Sequence, residues 1–464
     1  MSARLSLLRV GLPTSLLVGM LHLGTAYGDP APTPDVTGAP IPGNESGQTW
    51  NDEAEPNPSR AMARGVLAIP KALVWVVLLP IRGGLWVYDR YDLNDRYYNT
   101  FYNAERTFGI VPTIEYATGF GLMFGGKLIS TDTFGGHERL TALGAYGGTY
   151  QDRAEASLDS GTRLDPVVLK LGGNFDRFAR LPFYGIGNAD ESPQPAMLID
   201  PLINDTAVES FYRYQEMRAA LDADWRMLWD LHLVGHGALT SLTFDPSTRD
   251  PSINTVYNPM DLVGFNGGVK HAYGQLELRV DRRRIARTPW ETTQYTTGWL
   301  ASGFVGGVHG FDNAHDFAHY AVDLQAFIHF ALGPRILWLR FRGEGVSGNL
   351  NNVPFVELPY LGGDLLRGYN FARFRDRVSG LGTAQYMWDV SRNVDAHLFV
   401  DVGRVFGSLN DVSLDNLRVG YGGGISIHTA TDFLLAATLA SSIDGGLFAT
   451  ATLNAYWNEV TLWR

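Results

Sequence analysis

The sequence predicts an all-β protein, a sixteen-stranded antiparallel transmembrane β-barrel. Three observations carry that prediction. From Thr107 to the C-terminus the chain falls into runs of about ten residues with alternating polarity, the pattern of strands that face lipid on one side and a lumen on the other. It opens with an export signal. It is 45% hydrophobic, 12% aromatic and rich in glycine (53 of 464 residues), as expected when strands are apolar on one face only.

Residues 1–28 read as a signal peptide. Arg4 and Arg9 form the positive end, Val10 to Leu23 the apolar stretch, and small residues allow cleavage after Ala26 or Gly28. The apolar stretch is too short for a spanning helix. The chain has no cysteine, so disulfides and thiolate zinc sites are excluded. A net charge of −11 argues against a nucleic-acid partner. Residues 29–60, rich in Pro, Gly, Asn and acids, are expected to be a disordered periplasmic linker. Residues 61–106 hold apolar pieces bounded by prolines, then Tyr88–Asp92 and Asp95–Tyr98, which mix charge with aromatics. They predict a short N-terminal periplasmic helical segment, either lying on the membrane face or packing under the barrel.

Residues 107–464 make up the barrel. Eleven runs start near 107, 119, 138, 150, 167, 213, 230, 270, 296, 317 and 335, and five more near 379, 394, 416, 432 and 446. Gly144, Gly147 and Gly148 blur the alternation in the third and fourth. The run Phe317–Phe330 is the clearest: Ala318, Tyr320, Val322, Leu324, Ala326, Ile328 and Phe330 face lipid, while His319, Asp323, Gln325 and His329 face the lumen. In Val394–Val405, Val394, Ala396, Leu398, Val400 and Val402 form an apolar face. Asp395, His397, Phe399, Asp401 and Gly403 form the other.

Between the eleventh and twelfth runs stands Gly362-Gly363-Asp364-Leu365-Leu366-Arg367-Gly368-Tyr369, and after it comes Phe399-Val400-Asp401-Val402-Gly403. In their order and spacing these motifs resemble the barrel domain of the bacterial surface antigen superfamily, the BamA/TamA-type outer-membrane assembly proteins. The resemblance implies a lumen-inserted loop whose tip, Leu366-Arg367-Gly368-Tyr369, meets Asp401 through Arg367. A guanidinium fork suits a carboxylate that faces into a barrel, and Gly362, Gly363 and Gly368 allow tight turning beside a wall. Phe183-Tyr184-Gly185-Ile186-Gly187-Asn188 also resembles a loop segment common in that superfamily. The stretch ahead of the barrel is too short for the superfamily's periplasmic polypeptide-transport-associated domains, so none is expected there. The C-terminus departs from the usual terminal aromatic, with Arg464 after Trp463.

The resemblance implies a place in the bacterial outer membrane, with outer-membrane lipid and a client outer-membrane or exported protein as partners, and a role in protein insertion or translocation. The alternative is a channel or transporter for small solutes constricted by the loop. No catalytic constellation stands out, so no enzyme and no cofactor are expected. His309, Asp312, His315, Asp316 and His319 cluster in one loop, but their irregular spacing does not predict a metal site. His232 and His236 are expected to line the lumen. Arg340, Arg342 and Glu344 share a lumen face, where they either anchor the loop or line the wall.

Overall fold

A computed structural model describes residue 83 and residues 90–117, 121–192, 199–202, 207–228, 230–283, 297–311, 315–329, 335–348, 350–391, 394–428 and 433–453. The signal peptide, the linker and most of segment 61–106 lie outside the described residues. The described part of that segment contains helix α1, Leu93–Phe101, in which Thr100 returns a hydrogen bond to the Arg96 carbonyl at 2.7 Å.

The barrel strands are β1 Phe108–Ala117, β2 Gly121–Thr131, β3 Arg139–Tyr146, β4 Gln151–Asp159, β5 Val167–Phe183, β6 Ser210–Leu228, β7 Leu231–Pro246, β8 Val269–Asp281, β9 Gly298–Gly310, β10 Phe317–His329 and β11 Arg335–Val346. Then come two-residue strands β12 Tyr360–Leu361 and β13 Phe374–Arg375, which pair with each other in a small sheet of their own, apart from the wall. The wall resumes with β14 Val378–Ser391, β15 Val394–Phe406, β16 Arg418–His428, β17 Phe433–Ser442 and β18 Leu447–Leu453. The sheet is sixteen-stranded, ordered as the chain runs, with every neighbour antiparallel. Each of the sixteen wall strands starts within three residues of its sequence-predicted start, and β12 and β13 were not predicted. Of the glycines near 147, Gly147 and Gly148 form the β3–β4 turn, where Gly147 N donates to the Gln151 carbonyl at 2.7 Å. Only Gly144 sits within a strand.

Alternation sorts the two faces. On β10, Val322, Leu324 and Ile328 are exposed while Asp323 and Gln325 are buried. On β15, Leu398 and Val400 are exposed while Phe399 and Asp401 are buried. Val394 and Ala396 depart from the bare apolar face: both are buried, and Ala396 lies opposite the large ring of Trp388. Leu324→Arg is expected to cost about 2–4 kcal/mol near mid-membrane, read by denaturant unfolding in bilayers. Unfolding at the same denaturant concentration as Leu324→Val would take Leu324 off the lipid face.

Several tight strand contacts seat a ring over a glycine of the neighbouring strand. Tyr320 covers Gly345, Phe399 covers Gly422 and His397 covers Gly424, each ring within 3 Å of where a Cβ would stand.

Among the described residues, three connections send side chains into a core at one end of the barrel: β5–β6, β7–β8 and β11–β14. The β7–β8 connection carries a one-turn helix, Ile253–Val256, whose Ile253 and Val256 are fully buried. Phe183, Tyr257, Phe355, Leu358 and Phe371 join the inner ends of β6, β7 and β8 in a single apolar core. The Phe355 ring meets those of Phe183, Tyr212, Phe244 and Phe265 at centroid distances of 5.1–6.2 Å. The lumen at this end is thus filled by close-packed side chains.

Candidate functional site: the loop tip and its wall

The chain from Ser347 to Arg377 leaves β11, folds inward and returns to β14. The β12–β13 ladder makes it a hairpin, with Tyr360 opposite Arg375 and Leu361 opposite Phe374. Beyond the ladder, Gly363 N donates to the Tyr369 carbonyl at 3.0 Å, which closes the tip. Gly362 and Gly363 turn with φ of +118° and +66°, a region that side chains other than glycine rarely adopt. Leu361, Leu366, Tyr369 and Phe374 form a small apolar core with Leu381 and Val405 of the wall, and Leu366 is fully buried there. Burial pushes the Tyr369 hydroxyl pKa up to about 12, and the nearby Asp444 carboxylate pushes the same way.

This core aims Arg367 at the wall. Its Nε donates to Asp401 Oδ2 at 2.7 Å and its Nη2 to Oδ1 at 2.8 Å, a bidentate fork. The Arg367 backbone N–H adds a third bond to Oδ2 at 3.1 Å, and Thr383 Oγ1 donates to Oδ1 at 2.9 Å. Arg367 Nη1 reaches Gln385 Oε1 at 2.7 Å, and the guanidinium lies 3.5 Å over the Phe399 ring. The Asp401 side chain is 1% exposed and that of Arg367 18%. A carboxylate so withdrawn from water is stable only because four donors surround it.

Glycines let the tip come this close. A Cβ on Gly420 of β16 would lie 1.7 Å from the Arg367 carbonyl oxygen. One on Gly368, with φ +95°, would lie 2.2 Å from the Ser441 carbonyl oxygen of β17. One on Gly403 would meet the Gly380 carbonyl oxygen at 2.8 Å and Leu361 at 2.9 Å. The tip therefore rests on β14, β15, β16 and β17 together.

Gly362, Gly363, Leu366, Arg367, Gly368, Tyr369, Phe399, Asp401 and Gly403 thus converge on one locus. Thr383, Gln385, Gly420 and Ser441 belong to it and were missed. The alternation of β14 places Thr383 and Gln385 on the lumen face, and the glycines of 420–424 mark β16 as bare. Nothing local in the sequence, however, says which strand the tip will touch.

The other candidates lie elsewhere. Arg340 pairs with Asp323 through Nε at 3.1–3.2 Å, and Arg342 with Glu344 at 2.8 Å. His319 meets Glu344 at 2.9 Å. These groups line and cross-link β10 and β11. His232 and His236 pair with Asp224 and Asp222 at 2.7 and 2.6 Å in the same way. His309 meets Asp316 at 3.0 Å at an exposed site, and Asp312 is outside the described residues.

Residues 294–443 match the Omp85 superfamily domain. Among solved structures, the fold is similar to BamA from Haemophilus ducreyi lacking POTRA domains 1–3, at a TM-score of 0.52 and 11% identity, covering 75% of this chain and 70% of that one. CdiB from Acinetobacter baumannii aligns at a TM-score of 0.44 and 12% identity over 75% of this chain and 65% of its own. OccK11 from Pseudomonas aeruginosa aligns at 0.32 and 14% over 76% and 84%. No curated protein matches the sequence.

Proposed function

Starting from a chain that carries an Omp85 superfamily domain in a BamA-like barrel, we propose that it assists the insertion of client β-strand proteins at the bacterial outer membrane. Outer-membrane lipid surrounds the wall, an outer-membrane or exported protein is the client, and no enzymatic step is involved. The observation that carries this reading over a solute channel is the packed core at one end of the lumen. A solute path through Phe183, Tyr257 and Phe355 would have to break apart a close-packed interior.

The margin of the sheet offers another route. β1 is an edge in the described strand order, and Pro112 stands in its middle, paired with Gly126 of β2. Proline has no N–H to give, and within sheets it is confined to edges, where the missing donor faces no partner. A seam next to Pro112 lacks one ladder bond, which favours exchange for a client strand by edge addition.

The test is photocrosslinking in cells from a benzoylphenylalanine placed at Ile110 on β1, with Leu339 on β11 as the control; both positions are exposed. Adducts with newly made outer-membrane proteins are expected at Ile110 and not at Leu339. Equal adducts at both positions would sink the edge route. No adducts at either, with steady solute conductance by the purified protein, would favour the channel.

A further inference from the structure

The segment Phe183-Tyr184-Gly185-Ile186-Gly187-Asn188 leaves β5 and enters the lumen. β5 and β15 are the fifth and thirteenth strands in an order of sixteen, so they stand on opposite walls. β15 pairs with β16 only as far as Gly403 opposite Arg418, yet it continues to Phe406. Past Gly403 the backbone of β15 would be bare on its β16 side, and Val405 there is fully buried.

Asn188 fills that gap. Its Nδ2 donates to the Val405 carbonyl at 2.6 Å, and its Oδ1 accepts from the Val405 N–H at 3.1 Å. One carboxamide therefore takes both backbone groups, as a neighbouring strand would. Only a side chain with a donor and an acceptor on one planar group can do this; Asp cannot donate, and an alkyl chain does neither.

The segment is fixed on both sides of that contact. Gly187 N donates to the Arg375 carbonyl at 2.7 Å, and Arg373 Nη2 to the Ala189 carbonyl at 2.8 Å, so the segment also grips the long-loop hairpin. Arg418 of β16 donates to the Asn188 carbonyl at 2.6 Å and to Asp190 Oδ1 at 2.7 Å. Gly185 and Gly187, at φ +83° and +114°, take the turns that bring Asn188 there.

We propose that residues 183–190 form a strut across the lumen, latched by Asn188 to the unpaired edge of β15. The strut holds opposite walls at a set separation and clamps the long-loop hairpin between two anchor points, Arg367 on Asp401 and Asn188 on Val405. Asn188 is a positioning residue. This inference stands apart from the insertion role, since the strut would brace the walls of a channel equally well.

The chain has no cysteine, so spin labels can be placed on cysteines introduced at Glu191, at the far end of the strut, and at Leu414, in the β15–β16 connection; both are exposed. Pulsed electron–electron distances in the full chain, reconstituted in liposomes, should give one narrow peak. Asn188→Asp, which keeps the size and removes the donor, should at least double its width and add a longer-distance tail. Asn188→Ala should do the same, and both variants should still migrate faster unheated than boiled in gel electrophoresis, as folded barrels do. An unchanged distribution in both folded variants would overturn the strut. If neither variant folds, hydrogen exchange of the unaltered chain decides. A peptide spanning Val405 should exchange at least tenfold more slowly than residues 408–416, and equal rates would overturn the latch.

Discussion

Replacing Asp401 with alanine is expected to destabilise the barrel by about 3–5 kcal/mol, the range for breaking a buried ion pair by removing one partner. Arg367 would keep Gln385 and the Phe399 face but lose three of its bonds, and Thr383 would lose its acceptor. The Arg367 side chain is 18% exposed and can recruit water if the tip lifts, which places the expected loss at the lower end of that range. Arg367→Ala leaves the more withdrawn carboxylate without a countercharge, holding only the residue-367 N–H and Thr383, and should cost as much or more. The double variant should be little worse than either single one, because each single change already breaks the same unit. Denaturant unfolding in bilayers measures all three. Additive single effects would mean that the pair is not energetically coupled, whatever its geometry.

Gly420→Ala tests the tip without touching a charge. The new methyl would stand 1.7 Å from the Arg367 carbonyl oxygen and 2.9 Å from its carbonyl carbon, and no flexible side-chain end is there to yield. The tip must move off β16, and the Arg367 fork moves with it. A loss of about 2–3 kcal/mol is expected, at the upper part of the overpacking range. The phenotype should match that of Asp401→Ala. Gly382→Ala on β14 is the control, since its methyl finds only the Val402 carbonyl oxygen at 3.8 Å. Unfolding midpoints that coincide for Gly420→Ala and Gly382→Ala would show that the tip does not rest on β16.

Strand positions were legible because alternation is a local property. Leu324 beside Gln325, or Val400 beside Asp401, is written in two adjacent letters, and the structure separates them by face as that alternation requires. The loop motif was legible for a different reason: three glycines and an arginine at fixed spacing resemble a known loop. What stayed hidden depends on register between distant segments. Asn188 and Val405 are 217 residues apart, and no local pattern links them. The core around Phe355 and Tyr257 was also hidden, since these residues lie in connections where apolar side chains follow no period. Arg340 was ambiguous because its partner, Asp323, is fixed by how β10 and β11 align and not by either strand alone.

The bare inward face of β16 leads to a question of alignment. Phe399 and His397 of β15 seat their rings over Gly422 and Gly424, and Gly420 continues the same row. A row of three glycines offers the rings equivalent notches two residues apart, so β15 and β16 could slide past one another by one notch without burying a ring in a methyl group. Ring shape does not choose among these settings. The loop tip does, because the Arg367 carbonyl already fills the space above Gly420 and a ring shifted there would strike it. The inserted loop is thus a stop on a sliding rail, and the alignment of β15 on β16 is checked from inside the lumen.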